Sequence, residues 1–252
     1  MISNAFSLAE RCAMITGANT GIGQAVATAL AAAGADIIAV GRSDPAETRS
    51  AVLNMGRRFS AIHADLSQPQ DMSAVAEAAL AEFGEIDILV NNAGIIRRND
   101  AVDFGAADWD AVMDVNLKSA FFLTQAVGRR MIEARRGKVI NIASMLSFQG
   151  GIRVASYTAS KSALAGLTRL LANEWAAKGV NVNAIAPGYI ATSNTQALQA
   201  DETRNREILA RIPAERWGQP SDIGGAAVFL AASASDYVHG AIIPVDGGWL
   251  AR

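Results

Sequence analysis

The sequence predicts a single α/β domain that spans residues 1–252. Its 252 residues, 51% of them hydrophobic, are enough to bury a sizeable core. Short apolar runs typical of buried strands alternate with segments of helical periodicity along the chain. No linker, internal repeat or low-complexity segment interrupts this alternation. The whole chain is therefore expected to fold as one unit.

The predicted strands and helices follow one another along the chain. Apolar runs predict strands at residues 13–15, 35–40, 59–63, 87–90, 138–143, 180–186 and 241–245. Helical spacing of apolar residues predicts helices from about residue 25 and at about 46–57, 69–83, 108–135, 156–178 and 221–232. Residues 188–219 are mainly polar and break this rhythm, which suits a lid over a binding site.

The charge balance and the single cysteine exclude several classes of protein. With 22 basic and 24 acidic residues the net charge is −2, which offers no basic stripe for nucleic acid or an anionic membrane. Cys12 alone cannot form an internal disulfide, as expected in a reducing cytoplasm. Glu10 and Arg11 stand near an N-terminus without an apolar signal core, and no apolar run approaches the ~18 residues of a membrane span. A soluble, cytoplasmic protein is expected.

A glycine-rich segment follows the first predicted strand and leads into the first helix. Its backbone N–H groups and the positive end of the helix dipole can bind a phosphate, and its missing side chains let a pyrophosphate approach closely. The spacing is Gly-x-x-x-Gly-x-Gly, so an ordinary tight turn is the alternative. The candidate phosphate-binding residues are Gly17, Asn19, Thr20, Gly21, Ile22 and Gly23.

The end of the second strand bears on the choice of cofactor. A dinucleotide-binding fold places the adenosine ribose there, where an acidic residue repels a 2′-phosphate and an arginine can pair with it. In this sequence Gly41 stands where the acidic residue would be, and Arg42 provides a positive charge next to it. The sequence therefore favours NADP(H) over NAD(H), and the alternative is that Arg42 stacks on the adenine or faces solvent.

The ends of the third and fourth strands carry further candidate cofactor residues. Asp65, followed by Leu66, can hydrogen-bond the adenine amino group, with a turn or cap role as the alternative. Asn92, Ala93 and Gly94 form a small-residue strand end against which a cofactor can lie. The asparagine side chains at this end can also brace the central sheet.

Four residues in the second half of the chain are candidates for the chemistry. Tyr157 and Lys161 are four residues apart on one helix face, so the cation is expected to lower the pKa of the phenol and make it an acid/base group. The alternative is that Lys161 is a surface residue and Tyr157 a half-buried residue of an ordinary amphipathic helix. Ser144 stands at the end of the fifth strand, where open α/β sheets gather ligands. Asn116 lies in the middle of a predicted helix, which is unusual unless its side chain or backbone has a task.

Six ordered motifs resemble those of the short-chain dehydrogenase/reductases over essentially the whole chain. They are residues 16–23, residues 91–94, Asn116, Ser144, residues 157–161 and Pro187-Gly188. The resemblance implies a Rossmann-type doubly wound sheet of about seven parallel strands with helices on both faces, and a nicotinamide cofactor. It places further cofactor contacts at Pro187, Gly188, Ile190 and Thr192, and at Tyr157 and Lys161.

The resemblance also implies a catalytic tetrad of Asn116, Ser144, Tyr157 and Lys161. Tyr157 would pass a proton to or from the substrate oxygen, and Ser144 would hydrogen-bond that oxygen. Lys161 would hold the nicotinamide ribose, and Asn116 would fix a water that links Lys161 to solvent. A homotetramer is common in this family. The helices predicted at 108–135 and 156–178 carry more apolar surface than one sheet covers, so a homotetramer or a homodimer is expected.

Four segments more closely resemble the 2-deoxy-D-gluconate 3-dehydrogenase group, whose members are also called 2-dehydro-3-deoxy-D-gluconate 5-dehydrogenases. They are residues 96–100, 143–154, 216–220 and 245–252. The group acts reversibly on a secondary alcohol of a six-carbon sugar acid and is generally linked to NAD. Gln149 and Arg153 suit such a polyhydroxy acid, and either Arg153 or one of Arg97 and Arg98 is expected to pair with its carboxylate. A loop or subunit role is the alternative for Arg153.

Other functions remain open from the sequence. A 3-oxoacyl-carrier-protein reductase would need a basic patch beside the cleft, which Arg129, Arg130, Arg135 and Arg136 could furnish. Another sugar alcohol dehydrogenase is a further alternative within the enzymes. A non-catalytic dinucleotide-binding scaffold would be expected to have lost the tetrad, and this chain keeps it. No metal site is predicted.

Overall fold

The computed structural model describes residues 5–251 and contains one seven-stranded parallel sheet. The strand order is β3-β2-β1-β4-β5-β6-β7, so the chain winds outward in one direction from β1 and then in the other from β4. The predicted doubly wound fold is confirmed. The strands are β1 (Cys12–Thr16), β2 (Asp36–Gly41), β3 (Phe59–His63), β4 (Ile88–Asn91), β5 (Gly137–Ile142), β6 (Val180–Pro187) and β7 (Ile242–Val245).

Helices connect the strands and cover both faces of the sheet. They are α1 (Gly21–Ala32), α2 (Ala46–Asn54), α3 (Met72–Phe83), α4 (Ala106–Met113), α5 (Ser119–Glu133), α6 (Ala155–Trp175), α7 (Gln196–Ala200), α8 (Glu202–Arg211) and α9 (Ser221–Ala231). The helix predicted at 108–135 corresponds to α4 and α5 together, joined by a π-helical segment at Asp114–Lys118. Across residues 5–251, no helix combines the length and the apolar character needed to cross a membrane.

The core forms two layers because β1 is buried on both sides and its side chains alternate between the faces of the sheet. Ala13 and Ile15 belong to the layer beneath α1 and α9, together with Leu30. Met14 belongs to the opposite layer beneath α3, α5 and α6, together with Leu123. Both faces of the central strands are therefore closed to solvent, and only the strand ends are available to a ligand.

The strand order reverses between β1 and β4, which are neighbours in the sheet with Ile15 opposite Val90. Their connections leave toward opposite faces, so a crevice opens beyond the carboxyl ends of these two strands. Crevices at such a reversal are the usual ligand sites of open α/β sheets. The glycine-rich turn follows β1, and residues 92–94 follow β4 at the same edge.

The segment predicted as a lid contains a 3₁₀ turn at Ser193–Thr195 and the helices α7 and α8. A single bridge between Ile190 and Gly218 joins its two ends. Its apolar side packs onto a small separate cluster in which Ile208 and Ile212 meet Met145 and Trp249. The segment therefore lies over the region that directly follows Ser144.

Candidate active site

The glycine-rich turn after β1 leaves the first turn of α1 open to a ligand. The N-cap residue, Thr20, makes no side-chain hydrogen bond to the helix, and the first helical turn contains no acidic residue. Gly17 and Gly21 have φ angles of 67° and 56°, in the left-handed region that favours glycine. Helix N–H groups without a side-chain cap suit an anion such as a phosphate.

Thr16 and Asn92 fix this turn against the neighbouring strand end. The Thr16 hydroxyl oxygen accepts hydrogen bonds from the N–H groups of Asn92 and Ala93, both at 3.0 Å. The Asn92 side-chain amide donates to the carbonyls of Thr16 at 2.9 Å and Gly17 at 3.1 Å. A Cβ added at Gly23 would lie 2.1 Å from the Gly17 carbonyl oxygen, so glycine is needed for α1 to pack here. The turn is thus braced by protein contacts alone.

A cleft of about 550 Å³ runs along the carboxyl ends of the strands from Arg42 to Tyr157. Its volume is typical of a small-molecule or cofactor site. All the residues predicted to bind the cofactor line it: Gly17, Asn19, Thr20, Gly21, Ile22, Gly23, Arg42, Asp65, Leu66, Asn92, Ala93, Gly94, Tyr157, Lys161, Pro187, Gly188, Ile190 and Thr192. The cleft and its uncapped helix N-terminus therefore fit a dinucleotide.

Asp65 makes the turn contact considered for it and also lines the cleft. Its carboxylate accepts a hydrogen bond from the Ser67 N–H at 2.9 Å, which is a turn contact. That backbone bond and the Ser67 side chain lower the pKa of Asp65, with smaller contributions from the charges of Arg42 and His63. Its side chain nevertheless lines the cleft, so the turn contact leaves a cofactor contact possible.

Ser144 and Tyr157 meet at the inner end of the cleft. The Ser144 hydroxyl oxygen accepts a hydrogen bond from the Leu146 N–H at 3.2 Å, and Ser144 hydrogen-bonds the Tyr157 side chain. Burial raises the pKa of Tyr157, while the bond to Ser144 and the positive charge of Arg98 act in the opposite direction. The phenol is therefore held in its protonated form beside a second hydroxyl.

Lys161 lies one helical turn beyond Tyr157 on α6, and its ammonium group is buried. Its Nζ donates to the Ile142 carbonyl at 2.6 Å and lies 5.6 Å from the centre of the Tyr157 ring. Burial lowers the pKa of Lys161 to about 8. The prediction that the pKa of Tyr157 is lowered is wrong for this structure, because burial of the phenol outweighs the charges around it.

Asn116 occupies the π-helical segment between α4 and α5 and is 1% exposed. Its side-chain oxygen accepts from the Ile95 N–H at 2.8 Å, and its amide donates to the Ile95 carbonyl at 2.9 Å. The same amide lies 3.4 Å from the Ser160 hydroxyl on α6. Asn116 thus joins the chain after β4 to the helix that carries Tyr157. The irregular helix matches the disturbance expected at this residue, and π-bulges often occur at functional sites.

Two consecutive arginines follow β4 at the substrate side of the cleft. Arg97 lines the cleft and its Nε lies 3.2 Å from a carboxylate oxygen of Asp108. Arg98 donates to the Asn194 carbonyl at 3.3 Å, and its charge acts on Tyr157. The charge of Arg98 is the smallest of the three influences on the pKa of Tyr157, and Arg98 does not line the cleft, whereas Arg97 does.

Like Arg98, two further residues predicted to bind the substrate do not line the cleft. Arg153 has a φ of 62°, and its Nε lies 3.0 Å from a carboxylate oxygen of Asp100. The Arg153 carbonyl accepts a hydrogen bond from the Asn99 N–H at 3.0 Å. Arg153 therefore holds two loops together, which is the loop role named above as the alternative to substrate binding. The Gln149 side-chain oxygen faces Trp249 Nε1 at 3.3 Å and Arg211 at 3.5 Å. A polar residue in a loop can point toward the cleft or away from it, and the sequence pattern does not determine which.

Some residues of the site were missed in the sequence. Thr16 braces the glycine turn. The sequence feature that could have indicated this role is a threonine at the end of a fully buried apolar strand. Asn194 meets Arg98 from the lid segment, and no pattern in residues 188–219 singles it out. Trp249 is 4% exposed and closes the cluster behind Ser144. Within residues 5–251, His, Cys, Asp and Glu form no group of three or more that could hold a metal.

Residues 17–250 match a family model described as enoyl-(acyl carrier protein) reductase, a model of the short-chain dehydrogenase/reductases. The match covers both the glycine-rich turn and the site around Tyr157. The chain belongs to the short-chain dehydrogenase/reductase family. Membership makes it an NAD(P)-dependent oxidoreductase, and the predicted resemblance and enzyme class are confirmed.

Individual members of the family resemble the chain over its full length. The 2-dehydro-3-deoxy-D-gluconate 5-dehydrogenases of Dickeya dadantii and Escherichia coli are 61% and 60% identical to it over 253 aligned residues, covering 100% of each chain. A crystal structure of a proposed 2-deoxy-D-gluconate 3-dehydrogenase from Agrobacterium tumefaciens with bound NADP is 60% identical. The two folds superpose with a TM-score of 0.94, covering 99% of this chain and 100% of that one.

The geometry defines what a short-chain dehydrogenase/reductase site of this form can do. A bound nicotinamide supplies or accepts the hydride. The protein contributes a protonated phenol at Tyr157 and a second hydroxyl at Ser144, and the positively charged Arg97 lines the same cleft. Such groups can donate a proton to a carbonyl oxygen and stabilise the charge that develops on it.

Proposed function

We propose that the chain transfers hydride reversibly between NADP(H) and a secondary alcohol or ketone of a six-carbon deoxy sugar acid, of the 2-dehydro-3-deoxy-D-gluconate or 2-deoxy-D-gluconate type. The observation that carries the proposal is that Arg97 lines the same cleft as the Tyr157 and Ser144 hydroxyls. A fixed cation at that position suits an anionic substrate. The full-length identity with relatives named for this substrate supports the same choice.

Tyr157 is the proposed proton donor and acceptor. For reduction of a ketone it gives its proton to the substrate oxygen, and for oxidation of an alcohol it takes that proton back. Ser144 hydrogen-bonds the same oxygen, Lys161 holds the nicotinamide ribose, and Asn116 keeps the helix around them in its irregular form. Because burial raises the pKa of Tyr157, the phenol carries a proton in the cofactor-free protein, as donation to a ketone oxygen requires.

Arg97, with Arg98 next to it, is the proposed partner of the substrate carboxylate, because Arg97 lines the cleft. Arginine binds a carboxylate through two parallel hydrogen bonds, which fixes the orientation of the acid as well as its charge. Arg153 is engaged with Asp100 and is better suited to holding the loop. Gln149 is the proposed contact for a distal hydroxyl, from the cluster that it forms with Trp249.

The proposed cofactor is NADP(H) rather than NAD(H). Arg42 follows β2 and lines the cleft where the adenosine ribose is expected, and Gly41 offers no acidic side chain there. The Agrobacterium tumefaciens relative was crystallised with NADP. Replacement of Arg42 by Asp should reverse the preference, measured as the ratio of kcat/KM for NADPH and NADH. An unchanged ratio would show that Arg42 does not determine the cofactor preference.

The proposed assembly is a homotetramer. Large apolar side chains are partly exposed on three helices, with Trp109 40% exposed on α4, Phe122 42% on α5 and Leu170 46% on α6. Apolar patches of this kind mark subunit interfaces. A replacement of Leu170 by Glu should shift the mass measured by light scattering toward a smaller species.

A carrier-protein reductase is less well supported by the placement of the basic residues. Arg130 pairs with Glu133, and Arg136 pairs with both Glu85 and Asp87. These residues precede β5 and so lie at the opposite edge of the sheet from the cleft. An acidic carrier protein docked on them could not deliver its acyl chain to Tyr157.

The proposal is tested by a panel of six-carbon keto acids, neutral sugar alcohols and acyl thioesters, followed by the absorbance of the reduced nicotinamide. A deoxy sugar acid should be turned over with the highest kcat/KM. Tyr157→Phe should lose nearly all of this activity, whereas the matched control Tyr237→Phe should not, because Tyr237 is 99% exposed and outside the cleft. Preference for an acyl thioester would overturn the proposal.

A further inference from the structure

The last residues of the chain fold back against the active-site end of the sheet. After β7, the Asp246 carboxylate accepts hydrogen bonds from the N–H groups of Gly248 and Leu250, both at 2.9 Å. The turn that these bonds close buries Trp249, whose neighbours lie behind the cleft. Trp249 does not itself line the cleft, and the proposed function uses it only as a neighbour of Gln149.

Trp249 supports the turn that directly follows Ser144. It belongs with Met145, the residue next to Ser144, to the small apolar cluster behind the cleft. Its indole Nε1–H donates to the Gln149 side-chain oxygen at 3.3 Å, just beyond that turn. The Gln149 backbone N–H in turn donates to the Met145 carbonyl at 3.2 Å. A shift of Trp249 would therefore be transmitted to the backbone at Ser144.

Trp249 also supports the end of β6. Its ring centre lies 4.8 Å from that of Tyr189 at an angle of 61°, an edge-on arrangement that is favourable for aromatic pairs. Tyr189 stands between Gly188 and Ile190, which both line the cleft. The backbones meet closely at the same place, because a Cβ added at Gly188 would lie 2.5 Å from the Asp246 Cα. The C-terminal segment therefore supports two parts of the cleft wall at once.

The lid segment contacts the C-terminal residues as well. The Arg211 guanidinium at the end of α8 lies 4.0 Å from the centre of the Trp249 ring, which is a cation–π contact. The Ala214 N–H donates to the Gly247 carbonyl at 3.0 Å. Trp249 is thus the side chain at which the lid, the end of β6 and the turn after Ser144 meet.

We infer that Trp249 is a positioning residue for the reaction, which acts through its neighbours Met145 and Tyr189. Through Met145 it fixes the Ser144 hydroxyl that hydrogen-bonds the substrate oxygen. Through Tyr189 it fixes the end of β6, where the nicotinamide end of the cofactor is proposed to lie. Such support matters because displacing a reacting group by about 1 Å can cost about 100-fold in rate. The inference rests on the proposed roles of Ser144 and of the cofactor residues.

The test compares the two ends of the cofactor. Arg42 follows β2, four strands away from β6, so the adenosine end should not depend on Trp249. Calorimetry with 2′,5′-ADP or 5′-AMP reports the adenosine end, and calorimetry with NADP⁺ or NAD⁺ reports both ends, the pair being chosen by the cofactor that the wild type prefers. Trp249→Ala should bind the adenosine fragment normally and bind the whole cofactor several-fold more weakly. Its kcat for oxidation of 2-dehydro-3-deoxy-D-gluconate should fall about tenfold or more.

A conservative variant shows which property of Trp249 matters. Trp249→Phe keeps an aromatic ring against Met145 and Tyr189 and loses the hydrogen bond to Gln149. It should restore most of the affinity for the whole cofactor and most of kcat, because the inference assigns the support to the ring contacts.

Trp175→Ala is the matched control. Trp175 is also buried, but it ends α6 at the far end from Tyr157 and packs beside Gly128. It should lower stability and leave kcat and both affinities unchanged. The inference would be overturned by an unchanged kcat in Trp249→Ala, by an equal fall in Trp175→Ala, or by loss of the adenosine fragment as well. If the wild type did not turn over the sugar acid, the proposed function would fail, and the two affinities of Trp249→Ala would still decide the role of Trp249.

Discussion

Replacing Lys161 with Met should abolish activity and at the same time stabilise the cofactor-free protein at neutral pH. Lys161 is 4% exposed, and burial alone moves its pKa from 10.5 to about 8. A lowered pKa means that the folded protein binds the proton less tightly than the unfolded chain does. Below about pH 8 the folded state therefore carries a buried charge at a cost, which methionine removes.

The size of the effect follows from that difference in pKa. A change from 10.5 to about 8 corresponds to about 3 kcal/mol of lost stability at pH 7. The substitution also removes the hydrogen bond to the Ile142 carbonyl, which costs about 1 kcal/mol. The free energy of unfolding of Lys161→Met should then exceed that of the wild type by about 2 kcal/mol at pH 7.

The dependence on pH has a definite sign. Between about pH 8 and 10.5 the unfolded chain holds a proton on Lys161 that the folded protein has lost, so wild-type stability rises with pH there. The advantage of the variant should fall by about 2 kcal/mol between pH 7 and 9.5 and nearly vanish. Urea unfolding at both pH values and one protein concentration measures this change.

Lys118→Met is the matched control, because the Lys118 side chain is 56% exposed and pairs with Asp114. It should show no gain at pH 7. A Lys161→Met protein that is less stable than wild type at pH 7, or whose advantage does not shrink as pH rises, would refute the reasoning.

Three further predictions concern packing, a buried carboxylate and a strained loop. A Cβ at Gly128 would lie 2.5 Å from the Trp175 ring, so Gly128→Ala should lower the melting temperature, with a destabilisation of about 2 kcal/mol. Asp87 is 6% exposed and accepts from the Cys12 N–H and from Arg11, so Asp87→Asn should cost about 2 kcal/mol in urea unfolding. Arg153→Gly relieves a φ of 62° but loses the Asp100 pair, so stability should change by less than about 1 kcal/mol while KM for the sugar acid rises.

The strands and the residues that line the cleft could be predicted from the sequence because each depends on a local pattern. β3 was predicted at residues 59–63 and is observed at Phe59–His63, since an apolar run between turn residues leaves few other choices. The glycine turn has to follow β1, and parallel strands bring its residues to the same edge as Gly94. Spacing fixes these positions without knowledge of the rest of the fold.

The properties that depend on burial could not be predicted in this way. The spacing of four from Tyr157 to Lys161 predicts their shared helix face, but the direction of the change in the pKa of Tyr157 depends on how deeply the fold buries the phenol. The orientation of Arg153 depends on Asp100, fifty-three residues earlier in the chain, and no periodicity links the two. Long-range contacts of loops carry no signal in a single sequence.

The contrast between these residues indicates which sequence features point to a site. Asn116 in mid-helix and Lys161 in the core both violate local rules, and the buried charge of Lys161 costs stability that a Met would restore. Among the described residues, the Ser156 hydroxyl next to Tyr157 is also buried without a hydrogen-bond partner. These departures cluster around one cleft, as expected where function opposes stability. Gln149 and Arg153 are ordinary polar residues of a surface loop and violate no rule, which is why their polarity alone was a weak guide to the substrate.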